Sequence, residues 1–423
     1  MKRSRIYYGW YIVAISAAIS LLSSGARGGA YGVFIKTLSH EFELDRASVS
    51  LPASIGIIVG AILGPFAGRI FDLFGSRKFV TTSLLFMGLS VMTLAATNGL
   101  IFLILVYGLI IPIFASGSSQ PIFSALIARW FSRRRGTAIS LLLGVTALSN
   151  LIVLPMITYI MLATGWRTTW LILGMLSISC VPLAGWILRD DPTSKGIDLD
   201  GDGSENSSRG NTYQQGRLYN HSWRQALRTT PIWQIIGSFS VMGFCGMPTF
   251  VHLIPMGIER GLSPGMAALA LGLMGALSLP GMLITGPLSD RTERRYMISL
   301  VYGILGLSYL LLILTDGAIG LFAFASVFGM VVMSTGLLTT GLTADIYGVK
   351  NLGTVLGIVF LCHFAAGGIG NYFAGIIHDI TGTYTLAFIT FSMLFSVALL
   401  FSWAIRERYY SARFQNIGKF DAL

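Results

Sequence analysis

Apolar runs long enough to cross a bilayer follow one another along almost the whole chain. A helix of about 20 apolar residues spans the hydrocarbon core, where lipid offers the backbone no hydrogen-bond partners. Charged residues make up only 11% of the chain, against about 25% in soluble proteins. The sequence therefore predicts an all-α membrane protein. Its 423 residues contain twelve such runs, at 8–36, 48–70, 79–98, 100–129, 137–163, 167–188, 232–258, 266–288, 297–315, 318–346, 353–378 and 383–405.

A short motif occurs once in each half of this series. The first copy is GRIFDLFGSRK and the second is GPLSDRTERR. Gly68 and Asp72 of the first copy match Gly286 and Asp290 of the second at an offset of 218 residues. A duplicated membrane unit of this kind predicts twelve transmembrane helices in two pseudo-symmetric six-helix bundles.

A polar stretch separates the two halves. It is rich in Gly, Ser, Asp and Arg, a composition typical of a disordered linker, with a short amphipathic segment near 223–227. We therefore predict an N-terminal bundle over 1–189, a cytoplasmic linker over 190–230, and a C-terminal bundle with a cytoplasmic tail over 231–423.

The distribution of basic residues predicts the orientation. Most of the 29 lysines and arginines lie at the termini, in the linker and in every second turn. Only Lys36, Arg46, Arg167 and Arg260 lie in the opposite turns. Because cytoplasmic segments carry the excess of Lys and Arg, both termini are predicted to be cytoplasmic. The net charge of +11 then reflects membrane orientation rather than nucleic-acid binding.

Arg27 is a basic residue that lies well inside an apolar run, away from both ends. An arginine at the centre of a membrane helix costs about 2.5–3.5 kcal/mol, so it usually faces a cavity or a partner. Its planar fork of donors suits a carboxylate, and Tyr31 lies one turn later on the same helix face. The alternative is that Arg27 extends outward to the interface or pairs with carbonyls at a helix end.

His252 is a second candidate for substrate binding. It lies in the run 232–258, flanked by Pro248 and Pro255, and the 218-residue offset places it opposite Phe34. An imidazole in a membrane cavity can donate to an anion and can titrate near physiological pH. The alternative is a neutral histidine that hydrogen-bonds a neighbouring helix.

Four further polar residues lie within apolar runs. His363 and Asn371 share one helix face by their spacing, whereas Gln120 and Asn150 lie in separate helices of the first half. Each either lines a substrate cavity or hydrogen-bonds between helices. The sequence alone leaves both interpretations open.

The sequence lacks the motifs of enzymes, metal sites and ATP-driven pumps. It contains no GxxxxGK[ST] phosphate loop and no spacing of His, Cys and carboxylates typical of a metal site. The segment 198–209 begins like a calcium loop but places Arg209 where a bidentate Glu is required. We therefore predict no catalysis, no cofactor and no metal.

The twelve runs and the repeated motif resemble the major facilitator superfamily. The resemblance covers essentially the whole chain, and the first motif copy includes Gly75, Arg77 and Lys78. In that family the motif is a gate that latches the two halves in one state. The resemblance implies this role for Asp72, with Arg129 and Arg133 as partners. The alternative is that Asp72 fixes only the topology and the shape of the turn.

The second copy of the motif, with Asp290 followed by Arg291, is implied to be the weaker equivalent of the first. It departs from the usual pattern at Glu293, where the family commonly has glycine.

Three stretches are similar to bacterial monocarboxylate porters, including relatives of the oxalate–formate exchanger. They are residues 25–42, 127–140 and 249–261. This narrower resemblance implies transport of small organic anions, often with a proton. One departure is Met282, which replaces an arginine that many of these porters carry in their eighth helix.

We therefore predict a secondary active transporter in the plasma membrane of a bacterium, the cell inner membrane, that works as a monomer. Its predicted activity is proton-coupled uptake of a small monocarboxylate by alternating access, so its partners are the carboxylate, protons and the lipid bilayer. A carboxylate exchanger, a drug or cation exporter and a ligand sensor are the alternatives.

Overall fold

The computed structural model describes residues 7–24, 31–195, 197, 221–315 and 317–411. These residues form helices and turns but no strand, which confirms the all-α prediction for this part of the chain. Ten helical segments among them are long and apolar enough to cross a membrane. Large apolar side chains such as Ile57, Trp186 and Leu314 are exposed, which is typical of a surface covered by lipid.

The helices of the first half are α1 (Tyr8–Leu22), α2 (Tyr31–Glu41), α3 (Arg46–Phe74), α4 (Ser76–Thr93), α5 (Leu100–Leu103), α6 (Ile111–Ala115), α7 (Gln120–Trp130), α8 (Arg135–Thr164) and α9 (Trp166–Ile187). A π-helix, Ile104–Ile110, joins α5 to α6. Pro112 enters the first turn of α6 without an N–H, which removes one regular helix hydrogen bond and favours the wider turn before it.

The helices of the second half are α10 (Trp223–Ala226), α11 (Thr230–Glu259), α12 (Pro264–Arg291), α13 (Arg294–Leu314), α14 (Gly317–Val332), α15 (Ser334–Tyr347), α16 (Leu352–Thr381), α17 (Thr385–Trp403) and α18 (Glu407–Tyr410). The short helix α10 coincides with the amphipathic segment predicted near 223–227. It begins with a capping box between Ser222 and Gln225, whose side chains each bond the other's backbone N–H.

The helices form two compact units. The first unit contains residues 1–132 and 141–202, and the second contains 133–140 and 203–423. The first turns of α8 therefore belong to the second unit, whereas the rest of this helix belongs to the first. Each unit is described separately below.

In the first unit, α4 packs closely against α9 at two facing glycines. A Cβ on Gly88 would lie 2.7 Å from the carbonyl oxygen of Gly174, and a Cβ on Gly174 would lie 2.6 Å from the carbonyl oxygen of Gly88. No real side chain fits at such distances. Glycine at both positions allows the two backbones to approach, as is common where membrane helices cross.

In the second unit, aromatic rings fill the space between the helices. The Tyr309 ring of α13 lies 5.3 Å from Phe324, 5.9 Å from Phe388 and 5.6 Å from Phe391, measured between ring centroids. Rings at these separations in tilted or edge arrangements attract one another. This aromatic core lies beside α11 and positions the residues around His252.

Candidate functional site

Tyr31 is a site residue predicted from the sequence that the structure describes in full, whereas Arg27 lies outside the described residues. Tyr31 begins α2 and is buried. Its hydroxyl donates to the carbonyl of Val49, 2.9 Å away, and its ring lies 4.2 Å from that of Tyr107. Tyr31 is therefore held between α3 and the π-helix of the first unit.

Two buried hydrogen-bond donors lie in the aromatic cluster around Tyr31. The Tyr107 ring is 6.1 Å from Trp170, and Trp170 stacks on Phe34 at 3.9 Å. The Tyr107 hydroxyl and the indole N–H of Trp170 have no hydrogen-bond partner among the described residues. Buried donors are rarely left unpaired, so this cluster can bind an acceptor group. Sequence reasoning gave no role to Trp170, because an aromatic residue in an apolar run resembles ordinary core.

Gln120 and Asn150 lie apart from this cluster in sequence. Gln120 is half-buried and is the first residue of α7, directly after the 3-10 turn Ser116–Ser118. Asn150 lies within α8, and its side chain is outside the described part of the structure.

His252 lines a pocket inside the second unit. Aromatic residues surround this pocket, among them Tyr309, Phe324 and Phe388. The Nδ1 atom of His252 is 3.1 Å from the hydroxyl of Tyr384. No described residue hydrogen-bonds its Nε2 atom, so this ring nitrogen is available to a ligand.

A pair of hydroxyl groups provides a further polar feature in the same pocket. The hydroxyls of Thr249 and Tyr309 lie 2.5 Å apart, and the Tyr309 hydroxyl donates to the carbonyl of Cys245 at 2.9 Å. Thr249 and His252 are three residues apart on α11, so both face the pocket from one side of this helix. The pocket thus has an apolar wall with two polar groups on α11.

His363 and Asn371 of α16 have different surroundings. The ring of His363 is buried and stacks on Phe239 at 4.1 Å, and its Nδ1 atom donates to the Phe239 carbonyl at 2.8 Å. This contact joins α16 to α11. The Oδ1 atom of Asn371 is buried and has no hydrogen-bond partner among the described residues.

In the first motif copy, Asp72 pairs with Arg129, one of its two predicted partners. The distance from Nη2 of Arg129 to Oδ1 of Asp72 is 2.7 Å, and both side chains are largely buried. The Arg129 guanidinium also lies 4.4 Å above the Phe71 ring. The pair joins the end of α3 to the end of α7.

Gly75 forms the turn of this copy, with a positive φ of 84°. Its successor Ser76 starts α4, and the Ser76 N–H donates to the Asp190 carboxylate. An acidic group at a helix N-terminus is favourable because it meets the unpaired N–H groups there. Asp190 was not selected from the sequence, since it lies more than a hundred residues after the motif.

In the second copy, Asp290 caps the start of α8. It accepts hydrogen bonds from the backbone N–H groups of Gly136 at 2.7 Å and Thr137 at 2.9 Å, and from the Thr137 hydroxyl at 2.9 Å. It also lies 3.2 Å from Nη2 of Arg294. Asp290 thus engages both a helix N-terminus and a cation.

Asp345 lies beside Asp290 in a buried ion network that sequence reasoning missed. Its carboxylate is 2.7 Å from Nε of Arg294 and is also paired with Arg135. All three side chains are at most 7% exposed. Asp345 looks like a helix-end residue in the sequence, and no local pattern links it to arginines 51 and 210 residues away.

The remaining motif residues differ in exposure. Gly68 and Gly286 are buried, and a Cβ on Gly286 would lie 2.8 Å from the carbonyl oxygen of Gly136. Four basic residues of the predicted gate are exposed, namely Arg77, Lys78, Arg133 and Arg291. Among the described residues, no group of three or more His, Cys, Asp and Glu could hold a metal ion.

The apolar helices and the motif that occurs once in each half agree with a match to a known family. A family model for the Major Facilitator Superfamily matches residues 13–342. The chain belongs to this superfamily. It is therefore a multi-pass membrane transporter and not an enzyme.

Curated relatives within the superfamily have low identity to this chain. Monocarboxylate transporter 12 of Rattus norvegicus is 27% identical over 65% of this chain and 61% of its own length. Monocarboxylate transporter 13 of Bos taurus is 26% identical over 90% of this chain and 85% of its own length. The uncharacterized MFS-type transporter YcxA of Bacillus subtilis is 22% identical over 89% and 90%. The chain thus spans less than two thirds of the first relative and most of the other two.

Solved structures of superfamily members share the fold. The E. coli fucose:proton symporter FucP matches 96% of this chain and 99% of its own, with a TM-score of 0.71 at 15% identity. The proton:xylose symporter XylE matches 94% and 96%, with a TM-score of 0.74 at 15% identity. At these identities the likeness concerns the superfamily fold alone.

A further buried carboxyl group, that of Glu407, lies near the C-terminal end of the described residues. Glu407 begins α18 and is fully buried, and its Oε2 atom accepts the Arg295 N–H at 2.7 Å. Burial raises the pKa of the Glu407 carboxyl; the Arg295 N–H opposes this shift, and the Asp345 carboxylate adds to it. A raised carboxyl pKa means that ionisation destabilises the fold as the pH rises through it.

We therefore expect the Glu407→Gln variant to melt at the same temperature as the wild type near pH 4 and about 2–4 °C higher at pH 8. The glutamine oxygen can still accept the Arg295 N–H without carrying a charge. Differential scanning fluorimetry of the purified protein across this pH range measures the effect. The exposed control Glu43→Gln should follow the wild type. A Glu407→Gln curve parallel to that of the wild type would contradict the prediction.

Proposed function

We propose that this protein takes up a small organic anion, and that the substrate is a monocarboxylate carried together with a proton. The observation that carries the proposal is the similarity to monocarboxylate transporter 13 over 90% of the chain. Two residues supply groups that can bind an anion: Arg27 inside an apolar run and His252 in a pocket.

Arg27 is proposed to bind the substrate carboxylate. Its guanidinium can form two parallel hydrogen bonds to the two oxygens, and pairing neutralises the charge that would otherwise oppose entry into the membrane. Tyr31 lies one turn away and is proposed to line the same site, with its ring packed against Tyr107. The buried side chain at position 282 of α12 is a methionine, which carries no charge to offer the substrate.

His252 is proposed as the second substrate contact and as the proton-linked group. The hydroxyl of Tyr384 engages its Nδ1 atom, which leaves Nε2 to meet a substrate oxygen. Histidine is the side chain whose charge changes most readily between pH 5 and 8. Further polar contacts with the substrate are proposed for Gln120, Asn150, His363 and Asn371.

The ten apolar segments are proposed to form part of a set of twelve. The pair α1 and α2 would supply the first span, because α1 is apolar and both precede the span in α3. Helix α8 would supply the fifth span, because it has apolar segments and lies between the described spans that end and begin with α7 and α9. Two six-helix bundles, one over 1–189 and one over 231–423, joined by the linker 190–230, then place both termini in the cytoplasm of a bacterial cell. We propose that the protein acts as a monomer in the inner membrane.

The motif residues are proposed to form the gate of alternating access. Asp290 holds the start of α8, a helix whose later part belongs to the first unit. Breaking its bonds to Gly136 and Thr137 would release residues 133–140, and re-forming them would restore the latched state. The pair of Asp72 with Arg129 is proposed to act in the same way in the first unit.

Uptake into proteoliposomes tests the substrate and the coupling together. We expect radiolabelled L-lactate or pyruvate to accumulate when the outside is made acidic, and a pH dye trapped inside to report acidification during uptake. Uptake that depends on a carboxylate loaded inside, with no change of internal pH, would instead show an exchanger. Stabilisation of the purified protein by amines but by no carboxylate would refute the proposal.

A further inference from the structure

A chain of three contacts leads from the end of α11 to His252. Glu259 is the last residue of α11, and its Oε1 atom lies 2.9 Å from Nε2 of His378 on α16. The imidazole of His378 stacks on the Tyr384 ring with centroids 4.4 Å apart and planes 28° apart. The Tyr384 hydroxyl in turn meets Nδ1 of His252 at 3.1 Å. We name this set, Glu259, His378 and Tyr384, the histidine latch.

We propose that His378 is a positioning residue through which protons act on His252. A protonated His378 forms an ion pair with Glu259, which ties α16 to α11 and keeps the Tyr384 ring in place. Tyr384 then holds Nδ1 of His252 and leaves Nε2 to the pocket. Loss of the proton removes the ion pair and loosens this support. The inference rests on the proposed function at one point, the role of His252 as a substrate contact.

The first unit contains a matching arrangement with a permanent charge. The 218-residue offset that relates the two motif copies also relates Glu259 to Glu41 and Tyr384 to Trp166. Glu41 lies 2.9 Å from Nη1 of Arg167, and the Arg167 guanidinium lies 4.2 Å above the Trp166 ring. The same glutamate–cation–aromatic arrangement thus occurs in both units.

The two copies differ in the chemistry of the cation. Arginine is charged at every physiological pH, whereas histidine pairs with a carboxylate only when it is protonated. The arrangement in the first unit is therefore fixed, and the one in the second depends on protons. Phe34 occupies the position that corresponds to His252, so the fixed copy has no histidine to position.

Further charged groups surround the latch. The Asp379 carboxylate is 3.8 Å from its Nδ1 atom. Arg260, the nearest cation in sequence, instead donates to the carbonyls of Thr315 at 3.0 Å and Leu312 at 2.5 Å. Burial raises the pKa of Tyr384, and the carboxylates of Glu259 and Asp379 add to this effect. Tyr384 therefore keeps the hydroxyl proton with which it can donate to His252.

Two substitutions should fix the latch in opposite states. His378→Arg copies the charge of the first unit and should hold the latch at every pH, whereas Glu259→Gln removes the ion pair and should release it at every pH. We expect wild-type counterflow of L-lactate, measured with equal pH on both sides, to rise about tenfold from pH 8 to pH 5.5. Across this pH range, the His378→Arg variant should keep a counterflow rate close to that of the wild type at pH 5.5. The Glu259→Gln variant should keep a rate close to that of the wild type at pH 8. The matched control Glu41→Gln should keep the pH dependence of the wild type.

A measurement that needs no transport separates this inference from the proposed function. Hydrogen exchange of the segment 376–386, corrected for the pH dependence of the chemical exchange rate, reports whether the latch holds. Protection should fall between pH 5.5 and pH 8 in the wild type, persist in His378→Arg and be absent in Glu259→Gln. If these changes in protection occur but no carboxylate is transported, the latch is supported and the proposed monocarboxylate substrate is refuted. Equal pH dependence of protection in the wild type and both latch variants, or its loss in Glu41→Gln, would overturn the inference.

Discussion

Replacing Arg27 by glutamine is expected to reduce carboxylate uptake at least about 100-fold while leaving expression and folding unchanged. The substitution removes the positive charge that offsets the anion in the membrane and breaks two charge-assisted hydrogen bonds, each worth about 1.5–3 kcal/mol. A loss of about 2.7 kcal/mol already corresponds to 100-fold. Initial rates of L-lactate uptake into proteoliposomes, normalised to the amount of inserted protein, measure the effect.

The matched control is Arg27→Lys, which keeps the charge but loses the planar fork of donors. It should retain partial activity with weakened apparent affinity, because lysine offers a single charged centre. Thermal stabilisation by L-lactate should be lost in Arg27→Gln and reduced in Arg27→Lys. Uptake at the wild-type rate by the glutamine variant would remove Arg27 from the mechanism.

The Asp345→Asn substitution is expected to cause the largest loss of stability, about 3–5 kcal/mol. Asp345 pairs with both Arg294 and Arg135, and both of these guanidinium groups are buried. Removal of the carboxylate charge takes the common partner away from two buried cations, of which Arg294 keeps its ion pair with Asp290. An uncompensated buried charge is far more costly than the loss of a surface ion pair. Unfolding of the purified protein in denaturant at pH 7 measures the change.

The exposed Asp379, whose side chain is 83% accessible, provides the control. Asp379→Asn should change the free energy of unfolding by no more than about 0.5 kcal/mol. The double variant Asp345→Asn with Arg294→Met should recover part of the loss, since it removes one of the two cations that lose the Asp345 charge. A single Asp345→Asn variant as stable as the wild type would show that the network contributes little to the folded state.

Local patterns were enough to predict the helices and the place of the repeated motif. A single run of apolar residues in lipid can pair its backbone N–H and C=O groups internally only as a helix. The long helices between α3 and α17 therefore lie close to the predicted spans. The contact of Asp72 with Arg129 could also be predicted, because both residues lie near helix ends that are followed by basic turns. The turn at Gly75 follows from its motif.

The sequence by itself determined the fold class, the membrane environment and the duplication, because these depend on composition and on spacing along the chain. Only the tertiary structure decided which charged groups meet. Asp345 finds Arg135 across 210 residues, and Glu259 finds His378 on a helix that begins almost a hundred residues later. Such pairs are selected by the packing of helices, which brings together side chains that share no local pattern. In a medium without water, a buried charge depends on the partner that this packing supplies.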